Sequence, residues 1–381
     1  PFHNLKVQRN RFQGRAGLSV VDPKSNRAGY NLLLSRFDGD AGLAVVELID
    51  LNTKEIRHSW TTPGPGLAPI PNPTFLVPKR PSHYRMQSPL LSPDGSLVFI
   101  DPPLTKIDAC GNLVWRLNGD FNHSVEADSE GNIWVPQNQQ PPAVTEFGEG
   151  FRDSAVTKIA PDGRILYSES IAKLLIDKDL RAWVPTFGKF QADPLHLNDI
   201  QPVLFDGPNW KKGDVFLSLA YINTVLLFRP STREIVWSTR EGIEHQHDVD
   251  ILNQNRISIF DNNRWLENVK RKANFQPNDV PIYDFRKKRF ERPFREALKK
   301  QEVRTISQGM AEFLPNGNLY FDETNFGRVG ELTKAGEVIW EYVNRARDGQ
   351  LYTTSWGRIY NPEQSKRLLG FLSTIDCSKP R

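Results

Sequence analysis

Short apolar runs along the chain alternate with polar clusters rich in Gly, Pro, Asn and Asp. Runs of this length between turn residues predict β-strands, and helical periodicity is sparse. Two units recur. In the first, two strands flank a tight turn and the second strand ends in an aromatic residue. Its type copy is Ile107-Asp108-Ala109-Cys110-Gly111-Asn112-Leu113-Val114-Trp115, repeated at 159–167, 228–237 and 332–340, with a fifth copy at 49–60. The Asp, Thr and Gly of these turns suit backbone that must enter left-handed angles. The second unit is strand, polar turn, strand, as in Leu90-Leu91-Ser92-Pro93-Asp94-Gly95-Ser96-Leu97-Val98-Phe99. Copies follow at 125–135, 251–260 and 312–321, with looser ones at 200–217 and 359–372.

Alternating the two units gives four strands per repeat and about six repeats. That predicts an all-β fold, a six-bladed β-propeller of four-stranded blades. Residues 30–34, 43–51 and 56–60 supply outer strands with no inner strand before them, and 368–373 ends the chain without outer strands. The N- and C-terminal strands are therefore expected to pair, complete one blade and close the ring, which removes free sheet edges. Residues 1–381 are read as a single propeller domain. Short helices are expected at 168–179 and 293–301.

Composition adds little, but its distribution does. The net charge is +4, yet residues 269–300 hold eleven Lys and Arg against four Asp and Glu. We read a basic insertion at about 265–300 inside the fourth repeat, either a solvated segment or a contact for a protein partner or an anionic surface. Nothing points to nucleic acid. No apolar run approaches the roughly 20 residues of a membrane span. The chain starts at Pro1 rather than Met, and a removed leader is the expectation. Cys110 and Cys377 form no CxxC pair, which argues against a thiolate metal site, and spacing leaves their pairing open.

The chain has seven histidines. Phasing the second unit puts Gln87, His123, His196, His247, Gly309 and Ser355 at one position, the start of the innermost strand. In a propeller such positions line the central channel, so three imidazoles are expected to share a cavity. In this phasing His245 belongs to the preceding loop and has no counterpart. Three imidazoles suit zinc. The adjacent amides of Asn122 and Asn198 favour oxyanion recognition instead, because an NH₂ group donates hydrogen bonds. No metal and no other cofactor is expected. The sequon at Asn122-His123-Ser124 falls on a channel-lining strand and is read as accidental.

These residues resemble the bacterial arylsulfotransferases, PAPS-independent enzymes built on a six-bladed propeller. The matching pieces are Leu195-His196-Leu197-Asn198-Asp199, Gln246-His247 followed by Phe260-Asp261-Asn262-Asn263-Arg264, and Asn122-His123 ahead of Gly131-Asn132, in order over residues 43–371. The resemblance implies sulfuryl transfer from a small aryl sulfate to a phenolic acceptor through a sulfohistidine. His247 would be the nucleophile, His196 and Asn198 would contact the sulfuryl oxygens, and His123 would handle protons or charge. Asn122, Arg264, Tyr84 and Tyr352 are further candidate substrate contacts. A periplasmic or secreted location is implied as well.

Two positions depart from the family, and at the first of them Asn122 precedes His123 where a doubled His is common. Ala220 stands where the family has an arginine on the strand after His-x-Asn, and Arg264 or Arg85 is a candidate replacement from another blade. Two alternatives follow from the residues. One is a non-catalytic propeller, a binding or assembly module. The other is β-elimination on an acidic polysaccharide, using the histidines with Tyr84 or Tyr352.

Overall fold

Turn chemistry sets the outer hairpins. Each reverses on one left-handed residue: Lys54, Gly111, Gly163, Arg233, Lys288 and Gly336, with φ of 65°, 82°, 93°, 54°, 52° and 77°. At three of them an aspartate braces the turn. Asp50 Oδ1 accepts from the backbone N–H of Asn52 and Thr53, Asp108 Oδ1 from Cys110 and Asn112, and Asp284 Oδ1 from Arg286 and Lys287. Six such hairpins mean six blades, and the chain is a six-bladed β-propeller. The structure is a computed structural model, and it describes residues 6–7, 10–22, 27–61, 85–101, 103–148, 150–185, 192–267 and 272–378. It divides into two compact units, residues 119–311 and residues 1–118 with 312–381.

The 119–311 unit holds three sheets. In the first, Asp120–Phe121 and Glu126–Ala127 both pair with Ile133–Gln139, followed by Asp153–Ile159 and Ile165–Ser170. The second runs Leu197–Pro202, Val215–Leu219, Thr224–Arg229, Glu234–Thr239. The third runs Gln246–Asn253, Arg256–Asp261, Ile282–Asp284, Arg289–Glu291. Val215–Leu219 is buried along its whole length while Glu234–Thr239 is not, so inner strands read as continuous apolar runs and outer ones do not. Phe216, Leu227, Val249, Ile257 and Ile259 form one core cluster between the second and third sheets. Helices at Ile171–Asp177 and Arg295–Lys300 lie inside the two expected ranges.

The third sheet revises the reading of the basic run. Residues 282–291 are its outer hairpin, a sixth copy of the first repeat unit. The added stretch is the part between Asp261 and Ile282, which carries the paired strands Arg264–Glu267 and Lys272–Phe275.

In the terminal unit, Thr354–Tyr360 pairs with Asn31–Asp38, followed by Leu43–Asp50 and Ile56–Thr61. The C-terminal strand thus completes the N-terminal sheet, as expected. Its place differs. Residues 362–372, read from sequence as part of a strand repeat, form the helix Pro362–Leu372. Asn361 caps it in a full capping box with Gln364, Pro362 pre-sets the first turn, and Leu368 and Leu372 fall on one face. That face joins the cluster of Leu33, Leu48, Trp60, Leu97 and Phe99. A disulfide, Cys110–Cys377, ties the segment after the helix to the hairpin at Gly111. Another sheet is Gln87–Leu91, Leu97–Ile100, Leu104–Ile107 and Leu113–Leu117, and a third has five strands with Gly17–Val20 outermost.

Replacing Asn361 with Ala removes the side-chain acceptor of the Glu363 and Gln364 N–H groups and leaves the backbone N–H bond to Gln364 Oε1. The expected loss is about 1 kcal/mol, read as a lower urea midpoint at unchanged slope. An unchanged midpoint would show that the helix does not depend on its cap.

Candidate active site

The three inner strands of the 119–311 unit interlock through side chain to backbone bonds. The Val249 N–H donates to Asp199 Oδ2 at 3.0 Å, and the Ile200 N–H donates to Ser124 Oγ at 3.2 Å. Each bond runs from one inner strand to the same position of the strand before it. Ser124 therefore corresponds to Asp199, and His123 to Asn198. One step further on, His247 corresponds to Asn198 as well. This corrects the phasing made on sequence by two residues: His245 is the counterpart of His196, and His247 is not. Register slips at Asn198 and between Gln246 and Val249 mark bulges that re-aim these side chains. Equivalent slips occur after Gln87 and at 355–356.

Asn198 is fully enclosed, and its amide donates to the Gln246 carbonyl at 3.0 Å. Gln246 in turn donates from Nε2 to the Thr224 carbonyl at 2.9 Å. The amide expected to meet substrate thus fixes the strand that carries His247. The Phe-Asp-Asn piece is also structural. Asp261 accepts from the Glu244 and Asn263 N–H groups, and Asn262 donates to the carbonyls of Thr305 and Gln308. These bonds anchor the loop that delivers His245.

Four imidazoles gather here. His123 lies 4.7 Å from His196 and 5.5 Å from His247, centroid to centroid, with both pairs near edge-to-face. Tyr221 stacks on His196 at 4.3 Å with 7° between planes and meets His245 edge-on at 5.4 Å. His196 Nδ1 sits 2.5 Å from Asp193 Oδ2, and the His196 N–H donates to Asp193 Oδ1 at 3.2 Å. A carboxylate on Nδ1 holds the proton there and leaves Nε2 with its lone pair. His123, His196 and His245 all adopt left-handed backbone, with φ of 62°, 55° and 59°. Such strain in bulky residues persists only where surroundings over-determine it, and it concentrates at functional sites.

An open cavity of about 80 Å³ lies at this cluster, lined by Asn122, His123, Arg152, Asp193 and His196 among others. Asn122 donates to the Asp120 carbonyl at 3.1 Å and has a second N–H to offer. His247 is 0 % exposed and does not line the cavity. Burial, with His196 and His245 nearby, pushes its pKa down to about 3. Burial and the Arg264 guanidinium push His245 down to about 4. Both are neutral at neutral pH. Burial and Asp193 raise the Tyr221 phenol.

The other sequence candidates fall elsewhere. Arg264 donates to the Ile306 carbonyl at 3.3 Å and acts on His245 and Tyr221 by its charge. Tyr352 and Arg85 belong to the terminal unit. Tyr352 packs on Phe37 at 5.1 Å, and Arg85 is half-buried near the Asp101 carboxylate. Tyr84 lies outside the described residues. Ala220 is 1 % exposed in a short turn whose backbone bonds back to His196 and Leu195, so it offers no side chain to the cavity. Ser124 is enclosed, so the sequon is not presented. Among the described residues no group of three His, Cys, Asp or Glu forms a metal site. Sequence reasoning missed Asp193, Tyr221 and Arg152. The Asp193-Pro194-Leu195-His196 spacing was a usable signal for the first, and nothing local marked the last.

A histidine-centred cavity on a β-propeller defines the class of protein. The chain belongs to the arylsulfotransferase (ASST) family, whose model matches residues 102–345. A search of curated proteins gave no match. Among solved structures, a protein of unknown function from Bacteroides caccae aligns at 13% identity with a TM-score of 0.52, over 83% of this chain and 94% of that one. Virginiamycin B lyase from Staphylococcus aureus aligns at 12% identity with a TM-score of 0.40, over 68% and 69%. At 13% identity the first of these likenesses shows the fold alone.

The depressed imidazoles make stability depend on pH. The unfolded chain takes up protons near pH 6.5, whereas folded His247 and His245 resist until about pH 3 and 4. Their neutral burial costs nothing above pH 6.5 and destabilises the fold progressively as pH falls toward 4, by up to about 1.4 kcal/mol per pH unit for each group. Buried acids such as Asp261, pushed up to about 7, act in the opposite direction. The comparison therefore uses His247→Asn against wild type. Urea unfolding from pH 7 to 4 should give a shallower loss for the variant. Equal slopes would mean that His247 is not a buried neutral imidazole.

Proposed function

We propose that this chain transfers a sulfuryl group from a small aryl sulfate to a phenol, with His196 as the attacking imidazole. The observation that carries this reading is the Asp193–His196 pair at the cavity wall, 2.5 Å apart, with His123 beside it. Family membership supplies the reaction class. The resemblance assigns attack to His247, but that ring is enclosed, whereas His196 both lines the cavity and has its tautomer fixed.

In the first step His196 Nε2 attacks sulfur. An N–S bond forms as the S–O bond to the aryl oxygen breaks, and the phenolate leaves, taking a proton from His123. In the second step His123 takes the proton of an acceptor phenol. The phenol oxygen then attacks sulfur, and the N–S bond returns its electron pair to His196. Donors aimed at the non-bridging oxygens lower both barriers, and the spare N–H of Asn122 is one such donor. Asp193 keeps the imidazole oriented throughout. The scheme calls on no cofactor. We also infer an oxidising, extracytoplasmic setting, motivated by the Cys110–Cys377 cystine.

Incubation with 4-nitrophenyl sulfate and a phenol should release nitrophenol. His196→Ala should lower kcat/KM by about 10²–10⁴-fold, and Asp193→Asn by about 10–100-fold. Alkaline quench and peptide mapping should find the sulfuryl group on His196. A label on His247 would overturn that assignment and keep the reaction. No label and no turnover with any aryl sulfate would overturn the reaction and favour a binding module.

A further inference from the structure

Among the described residues the cavity wall carries one guanidinium, that of Arg152. Arg152 precedes strand Asp153–Ile159, and its backbone N–H donates to the Ala192 carbonyl at 2.6 Å. Its side chain is exposed and lines the cavity with His123 and His196. Both acids of that cavity are engaged elsewhere. Asp120 Oδ2 accepts from Asn138 at 2.8 Å, and Asp193 holds His196. Among the described residues no ion pair or side-chain hydrogen bond occupies Arg152. A second observation places its charge near the imidazoles: Arg152 acts electrostatically on Tyr221, the ring stacked on His196.

The alternatives are committed. Arg264 is bound to the Ile306 carbonyl, Arg85 belongs to the other unit, and the enclosed Ala220 methyl contributes nothing. A tetrahedral oxyanion in this cavity would find two imidazoles, the Asn122 amide and one cation with a planar fork of donors. That fork matches two sulfate oxygens at once.

We propose that Arg152 is the sulfate-anchoring residue of this site, supplying from a neighbouring blade the charge that Ala220 does not. The proposal rests on the sulfuryl-transfer reading for the identity of the anion, a sulfate ester rather than free sulfate. Because Arg152 reaches in from an edge of the cavity, its contact forms with the donor already in the ground state, so it acts mainly on binding.

The test has two arms, each on the full chain. Calorimetric titration with inorganic sulfate needs no turnover. Wild type should bind it, Arg152→Gln should bind about 10- to 100-fold more weakly, and Arg152→Lys should fall between. In the second arm, Arg152→Gln should raise KM for 4-nitrophenyl sulfate by a similar factor and change kcat far less. Unfolding curves of the exposed-site variants matching wild type exclude misfolding as the cause. Wild type that binds no sulfate, or Arg152→Gln with unchanged sulfate affinity and unchanged KM, overturns the proposal. Arg152-dependent sulfate binding with no aryl-sulfate turnover sustains the anchor and sinks the transfer reaction instead.

Discussion

The hydrogen bond from the Asn198 amide to the Gln246 carbonyl holds the site together. It spans two sheets in a place sealed from water. A buried carbonyl that loses its donor forfeits far more than the roughly 1 kcal/mol a typical hydrogen bond contributes, because water cannot replace the partner. The Ser218 hydroxyl also reaches this carbonyl, at the long distance of 3.4 Å. With Asp199 gripping the Val249 N–H three residues on, the two bonds pin the bulged strand on either side of His247.

Such rigidity lets the fold keep unfavourable features. Left-handed backbone at three histidines costs about 1 kcal/mol or more each. A fully enclosed imidazole pushed down to about 3 gives up its charge over the whole physiological range. Asp261 and Asp199, both pushed up to about 7 by burial, lie on strands of the same unit. They are tolerated because each accepts backbone N–H groups that would otherwise be orphaned. The apolar cores between sheets supply the stability, and the polar inner edge spends part of it on fixed geometry.

Much of this was legible in the chain. The outer hairpins announce themselves through Asp and Gly at the turn and an aromatic on the returning strand. The sixth, Ile282–Glu291, escaped because its turn is Arg286-Lys287-Lys288, and a charge run reads as a solvated loop. Lys288 takes the left-handed angle that glycine takes in three other blades. The C-terminal helix was missed because Leu368-Leu369 before Gly370 looks like a strand end, while the signal that decides it, Asn361-Pro362 with Gln364, is a cap. The histidine phasing slipped by two because alternation has a period of two, so a shift by two keeps every side chain on its face. Only the bonds between neighbouring strands break that degeneracy.

The charge at the site could not be read from any motif, and the reason is topological. Arg152 and His196 lie on separate sheets, more than forty positions apart, and nothing in local spacing brings them together. What local sequence does show is the exchange beside Ala220. With no guanidinium on that strand, the next residue, Tyr221, lays a neutral ring flat against His196. A stacked phenol restrains the imidazole plane without competing for Nε2, and the Asp193 carboxylate restrains it from the other edge. A cation on the same strand would have pulled Asp193 toward itself, because two opposite charges this close pair strongly. Moving the positive charge to a different sheet leaves the Asp193–His196 pair intact and still presents a guanidinium to the same cavity. Orientation of the imidazole and attraction of the anion are thereby assigned to different residues, each of which can change without undoing the other.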